Sequence, residues 1–239
     1  MTRRFGGVTA VSQVSLEVVA GARHGIIGPN GAGKTTLFNV ISGELGCTEG
    51  RVHLFGHEIT RMAPARRVGL GLGRTYQITR TFPSLTVRQN LTLGSHGLRR
   101  SKFSMLKPWR SYRQTSAEVE ELAERFQLSD KLDTPASVLS HGEVRQLEVA
   151  LALVLKPRLL LLDEPGAGLS PGERVSMRAL LKTLPEDLTL VMIEHDMELV
   201  RDVVDRINVL HFGEVVAQGE TAAIQADPRV HEIYLGSHH

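Results

Sequence analysis

Apolar residues recur along this 239-residue chain with two periods, and the period switches at glycines and prolines. Residues 15–19 (Ser-Leu-Glu-Val-Val) alternate with period two, as a half-buried strand does, and Gly21 closes them. Residues 23–27 read as a short buried strand. From Lys34 the period lengthens, and Leu37, Val40 and Ile41 fall on one helical face. Residues 51–55 and 72–77 read as strands, with a short helix over 63–69 between them. Two helices follow, over 86–93 and 116–128. The second sets Val119, Leu122, Ala123 and Phe126 on one face and Glu118, Glu120, Glu121 and Glu124 mostly off it. A third apolar helix over 144–155 follows Leu139-Ser140-His141-Gly142-Glu143. The alternation then resumes: strand 159–162, helix 172–184, strand 188–193, helix 197–204, strands 207–210 and 214–218, and short helices to residue 234.

Strands alternating with helices imply a mainly parallel sheet covered on both faces, an α/β fold. Residues 78–156 break that rhythm and predict a helical insertion, because they hold too few apolar side chains for a core of their own. Within it residues 98–113 are basic and irregular and include Trp109, the sole tryptophan. The expected division is a catalytic core from 1–77 and 157–239 with a helical subdomain over 78–156.

Composition narrows the partners. A formal charge of +2 without a Lys/Arg block gives no reason to expect nucleic acid. Cys47 is the only cysteine, so there is no internal disulfide or cysteine metal site, and a reducing compartment fits. The longest apolar stretch, 149–155, ends at Lys156-Pro157 and is too short to span a bilayer. No cationic-then-apolar leader opens the chain. Any work at a membrane is expected from its cytoplasmic face, through a partner.

Where strand 23–27 meets the helix from Lys34 stands Gly28-Pro29-Asn30-Gly31-Ala32-Gly33-Lys34-Thr35, which fits G-x-x-x-x-G-K-[ST]. Its glycines let consecutive N–H groups turn inward on an anion, at the positive end of the helix. Lys34 can reach the β- and γ-phosphates of a nucleoside triphosphate, and the Thr35 hydroxyl can ligate Mg²⁺. Strand 159–162 runs into Asp163-Glu164 at its carboxyl end, the edge where parallel sheets hold ligands. Asp163 suits a Mg²⁺ ligand, direct or through water, and Glu164 a general base for an attacking water. Ser140 with Glu143 has two readings. It is a capping box for the following helix, or the same helix start, kept narrow by Gly142, receives a γ-phosphate. Gln77 at a strand end, His195 beside Glu194 and Asp196, and Phe5 near the N-terminus have ordinary structural readings when taken alone.

Taken in order, the P-loop, the glutamine-ended strand, the helical insertion, the short L-S-x-G-x motif and L-L-L-L-D-E resemble the ATP-binding subunit of an ABC transporter over essentially the whole chain. The resemblance implies the ABC ATPase fold: a P-loop NTPase core with a mainly parallel sheet, an N-terminal antiparallel β part and the helical insertion. It makes residues 28–36, including Thr36, the Walker A motif and Gln77 the Q-loop glutamine, a catalytic and metal-binding position. Residues 139–143 become the signature, Asp163-Glu164 Walker B, His195 the switch histidine and Phe5 the aromatic that stacks on adenine. Two subunits are then expected to pack head to tail, with Ser140 and Gly142 contacting ATP of the partner. Two transmembrane permease subunits, and indirectly a periplasmic or surface solute-binding protein, complete the implied assembly.

Arg74-Thr75-Tyr76-Gln77, Arg80-Thr81-Phe82, Gly168-Leu169-Ser170-Pro171, Ile193-Glu194-His195-Asp196-Met197 and Tyr234-Leu235-Gly236 are similar to the subgroup serving branched-chain amino-acid uptake. Ser170 stands where many family members carry aspartate, and members usually begin with another strand before the Phe5 position. A lipid- or polysaccharide-exporting cassette, or an ABC ATPase of repair or translation, is the alternative expectation. The long coiled-coil insertion of the repair type and the tandem cassettes of the translation type do not occur in this sequence.

Overall fold

The computed structural model describes residues 1–75, 81–96 and 113–235. Gln77, Arg80, Trp109 and Gly236 lie outside them. The described residues divide into two units. The first comprises residues 1–74, 158–164 and 185–239, and the second residues 75–157 and 165–184.

Among the described residues the first unit holds every strand. β1 (Arg3–Phe5) and β2 (Val8–Val11) form an antiparallel hairpin, and β4 (His53–Leu54) and β5 (His57–Glu58) form another. Between these hairpins in sequence lie β3 (Arg23–Ile27) and α1 (Lys34–Ser42). The remaining strands are β6 (Leu72–Arg74), β7 (Leu159–Asp163), β8 (Thr189–Ile193), β9 (Arg206–His211) and β10 (Glu214–Glu220). With β3 they form one sheet in the order β10-β9-β3-β8-β7-β6, parallel throughout except for the antiparallel β9–β10 edge. The fold is therefore the α/β architecture that the pattern predicts, with the antiparallel N-terminal part that the resemblance implies.

Both sheet faces are covered because the strands are apolar on both sides. On one face Ile26, Leu159, Leu161, Val191 and Ile193 share a core with Leu37, Phe38 and Val40 of α1. On the other face β3 carries Gly25, where an added Cβ would stand 3.2 Å from Val204 and 3.5 Å from Val200. Val200 belongs to α7 (Met197–Val203), for which the Asp196 carboxylate accepts the Glu198 and Leu199 N–H groups as an N-cap. In the same unit are α2 (Pro64–Gly69), α8 (Thr221–Gln225) and α9 (Pro228–Leu235).

Two sequence expectations change. Residues 15–19 keep their alternation, with Leu16 and Val18 half-buried against the core, but they belong to no strand. A period of two reports which side chains face inward; only a neighbouring backbone can supply the ladder. The strand expected over 51–55 shrinks to the two residues of β4, because Phe55 (φ 51°) and Gly56 (φ 82°) turn the chain immediately into β5.

The second unit is helical: α3 (Val87–His96), α4 (Arg113–Arg125), α5 (His141–Leu153) and α6 (Pro171–Lys182). Of the face predicted here, Val119 and Ala123 in α4 and Phe126 just past its end are fully buried, while Leu122 is half-buried. Among the described residues no helix is long and apolar enough to cross a membrane.

Candidate active site

In the first unit the carboxyl ends of β3, β7 and β8 lie side by side, because the three strands are parallel neighbours. Each passes directly into residues singled out above. After β3, the segment Gly28–Gly33 folds back on itself. Ala32 N–H donates to the Pro29 carbonyl at 3.2 Å, and Gly213 N–H donates to the Ala32 carbonyl at 2.9 Å. Two glycines here are obligatory. Gly28 has φ 153°, and a Cβ on it would stand 2.0 Å from the Leu210 carbonyl oxygen. Gly33 has φ 100°, and a Cβ on it would stand 2.2 Å from the Ala10 carbonyl oxygen. The loop is thus wedged between β2 and the β9–β10 turn.

Lys34, the first residue of α1, is buried and curls back, donating from Nζ to the carbonyls of Gly28 (2.7 Å) and Pro29 (2.9 Å). Burial lowers the pKa of its ammonium, while Glu164 and then Asp163 pull it back up. Thr35 and Asn30 are exposed, and Thr36 is half-buried.

At the end of β7, Asp163 is buried (side chain 1% exposed) and accepts from Arg74 Nη2 at 3.2 Å. Burial pushes its carboxyl above the usual range, Arg74 draws it down, and the neighbouring Glu164 adds to the rise. Glu164 is half-buried, donates its N–H to the Ile193 carbonyl (2.9 Å) and sits at φ 49°. A non-glycine residue held in the left-handed region is a mark of functional sites.

At the end of β8, Glu194 is fully buried. Its carboxylate accepts the backbone N–H of His195 (2.9 Å) and of Asp196 (3.2 Å) and lies 3.3 Å from His195 Nδ1. The rest of the His195 ring is exposed. Phe5, at the end of β1, is 43% exposed, with the Arg3 guanidinium 4.5 Å from its ring centre.

In the second unit Ser140 is the N-cap of α5. Its hydroxyl accepts from Glu143 N–H at 3.2 Å, and the Glu143 carboxylate accepts from Ser140 N–H at 2.7 Å. Of the two readings of this motif, the capping box is the one realised here. Gly142 N–H donates to Glu173 Oε1 (3.0 Å), and a Cβ on Gly142 would stand 2.5 Å from that oxygen. His141 Nε2 lies 3.3 Å from the Ala167 carbonyl. Ser170 caps α6 through a second capping box with Glu173, the N-cap service an aspartate would also give.

Residues 11–167 match the ABC transporter family. The chain belongs to that family. This ABC ATPase also matches, over residues 214–239, the family described as branched-chain amino acid ATP-binding cassette transporter. It is 37% identical to a high-affinity branched-chain amino acid transport ATP-binding protein of Pseudomonas aeruginosa, covering 99% of this chain and 95% of that one. It is 38% identical to the protein of the same description in Escherichia coli K12, with 98% and 94% covered. Among solved structures it resembles a nucleotide-free ATP-binding cassette from an ABC transporter (31% identity, TM-score 0.85, covering 98% and 95%). It also resembles a dimeric, post-hydrolysis ATP-binding cassette bound to ADP and Pi (26% identity, TM-score 0.78, covering 92% and 95%). The ABC ATPase couples ATP binding and hydrolysis to transport.

Two residues of the site escaped the sequence reading as individuals. Arg74 was visible only as part of a motif, and Glu194 as a neighbour of His195. Their signal was a charge at the end of an apolar run, which marks a group that must find a partner without naming it.

Gly33→Ala is expected to weaken nucleotide binding by at least about tenfold, since the new methyl must displace either β2 or the loop. A fluorescent-nucleotide titration within twofold of wild type would show that β2 yields at no cost.

Proposed function

We propose that this ABC ATPase powers uptake of branched-chain amino acids or related small solutes. It works as one of two ATP-binding subunits on a pair of transmembrane permease subunits, at the cytoplasmic face of the membrane, and is served indirectly by a solute-binding protein. The observation that carries the reading is the glycine loop with Lys34 at the end of β3, beside Asp163 and Glu164 at the end of β7. The kinship to branched-chain amino acid transport ATP-binding proteins over nearly their full length supports the solute class.

In this proposal residues 28–36 cradle the triphosphate. Lys34 exchanges its two carbonyl partners for phosphate oxygens, which is inexpensive because its ammonium is already desolvated. Phe5 offers an exposed ring to adenine. Glu164 accepts the proton of the attacking water. His195 presents its exposed imidazole edge to the γ-phosphate, with Nδ1 held by Glu194. Gln77 is assigned to the attacking water and the metal on the strength of the motif alone.

One buried carboxylate, Asp163, and one hydroxyl, Thr35, form a hard-oxygen donor set. Mg²⁺ typically takes one or two protein oxygens and completes its shell with phosphates and waters. The residues therefore fit Mg²⁺, and among the described residues no group of three or more His, Cys, Asp or Glu could hold an ion unaided. When held by Asp163 and Thr35, the metal would supply charge neutralisation to the triphosphate.

Ser140 and Gly142 are proposed to face ATP of a second subunit; that a similar cassette is dimeric supports a second subunit. The Ser140 hydroxyl then turns from Glu143 N–H to phosphate, and Gly142 N–H from Glu173. Closure driven by the γ-phosphate and reversed by its loss is what lets the nucleotide bias the assembly. Lys34→Ala is the test. Nucleotide affinity should fall by at least about tenfold, since charge-assisted contacts to two phosphates are lost. A titration unchanged from wild type would remove Lys34 from the cradle.

A further inference from the structure

We propose that Arg74 is a resident counter-ion for Asp163, a positioning residue that keeps a free divalent cation out of the site until a nucleotide arrives with it. The inference rests on the reading of Asp163 as a metal ligand and extends it to a residue with no role in that reading.

Strand register creates the pair. In the parallel β6–β7 ladder Arg74 stands opposite Leu161, and Asp163 lies two residues further along on the same face. The guanidinium donates from Nη2 to Asp163 Oδ2 (3.2 Å) and from Nη1 to Ser42 Oγ (2.6 Å) in the last turn of α1. Both side chains are essentially sealed from water, 4% exposed for Arg74 and 1% for Asp163. Arg74 therefore links the helix that begins in the phosphate loop to the strand that ends in the metal carboxylate.

Burial raises the Asp163 carboxyl, Arg74 and Lys34 draw it down, and the neighbouring Glu164 raises it. Lys34 is turned onto the carbonyls of its own loop, and the Arg74 guanidinium is in hydrogen-bond contact with Asp163. A divalent ion that approaches without phosphates must compete with a fixed guanidinium for one carboxylate, and in a dry site that repulsion is not screened. A triphosphate adds negative charge and oxygen donors together and reverses the balance. A purely structural pair, pinning β6 to β7, has the same geometry but makes no prediction about metal affinity.

The test is a Mn²⁺ titration of the whole subunit, followed by the signal of free Mn²⁺, with and without ADP. Wild type should bind Mn²⁺ with ADP and only weakly without it. Arg74→Met and Arg74→Gln should each bind Mn²⁺ in the absence of nucleotide at least about tenfold more tightly than wild type. Adding Asp163→Asn should abolish that gain, and Arg74→Lys, which keeps the charge, should behave as wild type. Unchanged nucleotide-free affinity in the two neutral variants overturns the proposal. So does their failure to fold beside a folded, wild-type-like Arg74→Lys, which would assign the pair to stability alone. Failure of the underlying reading looks different: wild type with ADP would take up no Mn²⁺, or Asp163→Asn would not weaken that uptake.

Discussion

Glu164→Gln is expected to lower steady-state ATP turnover by about 10²–10⁴-fold while leaving ATP binding intact. Glutamine has the shape of glutamate and can keep the left-handed backbone at φ 49° and the N–H bond to the Ile193 carbonyl. It cannot accept a proton. The loss should therefore fall on kcat rather than on affinity, because the glycine loop and Lys34 are untouched. Removing the charge also lessens repulsion between residue 164 and a bound γ-phosphate, so ATP-bound dimers of the variant should outlast those of wild type. Phosphate release by the assembled complex measures the first effect, and size-exclusion with ATP the second. Near-normal hydrolysis would sink the assignment of Glu164 as base.

The second large effect is on stability and lies at the far end of the same helix. Arg67 is 2% exposed, and its guanidinium donates to four backbone carbonyls. Nη1 donates to Val40 (2.8 Å) and Ile41 (2.7 Å), Nε to Met62 (2.8 Å) and Nη2 to Thr60 (3.3 Å). Val40 and Ile41 belong to the last turn of α1, where carbonyls lack the usual helical partners and carry the helix's negative end; the Val40 carbonyl also accepts the Gly43 N–H at 3.2 Å. The side chain reaches them beside Gly43, where a Cβ would stand 2.6 Å from Arg67 Nε. Arg67→Met preserves bulk but takes the guanidinium donor away from all four carbonyls, of which that of Val40 keeps the Gly43 N–H. Each buried, unsatisfied acceptor costs about 1–3 kcal/mol, so a loss of about 3–5 kcal/mol in unfolding free energy is expected. Urea unfolding of the subunit reads it, with Arg66→Met, an exposed neighbour, as the control expected within about 0.5 kcal/mol. Equal and small effects of the two substitutions would show that Arg67 does not hold α1.

The two adjacent arginines also mark where the sequence stops informing. Nothing in Arg66-Arg67 distinguishes an exposed charge from the largest fully buried side chain among the described residues, because the distinction lies in carbonyls about 26 residues upstream. Arg74 and Asp163 are likewise 89 residues apart and meet only through the β6–β7 register. The capping boxes at Ser140 and Ser170, by contrast, span three residues each and could be read directly.

What the amino-acid order determined unaided is everything with a local physical cause. Period and punctuation set the succession of strands and helices. The glycine loop could be read because only glycine tolerates its backbone, and the acids at 163 and 164 because a buried strand ends in them. The tertiary structure alone decided which residues separated in sequence share a carboxylate, a carbonyl or a ladder. It left residues 15–19 outside any strand and gave Arg67 to the end of α1, Glu173 to the start of α5 and Arg74 to Asp163. Such pairings depend on register and on which surfaces the packed elements present to each other, and neither is encoded within the few residues over which periodicity acts.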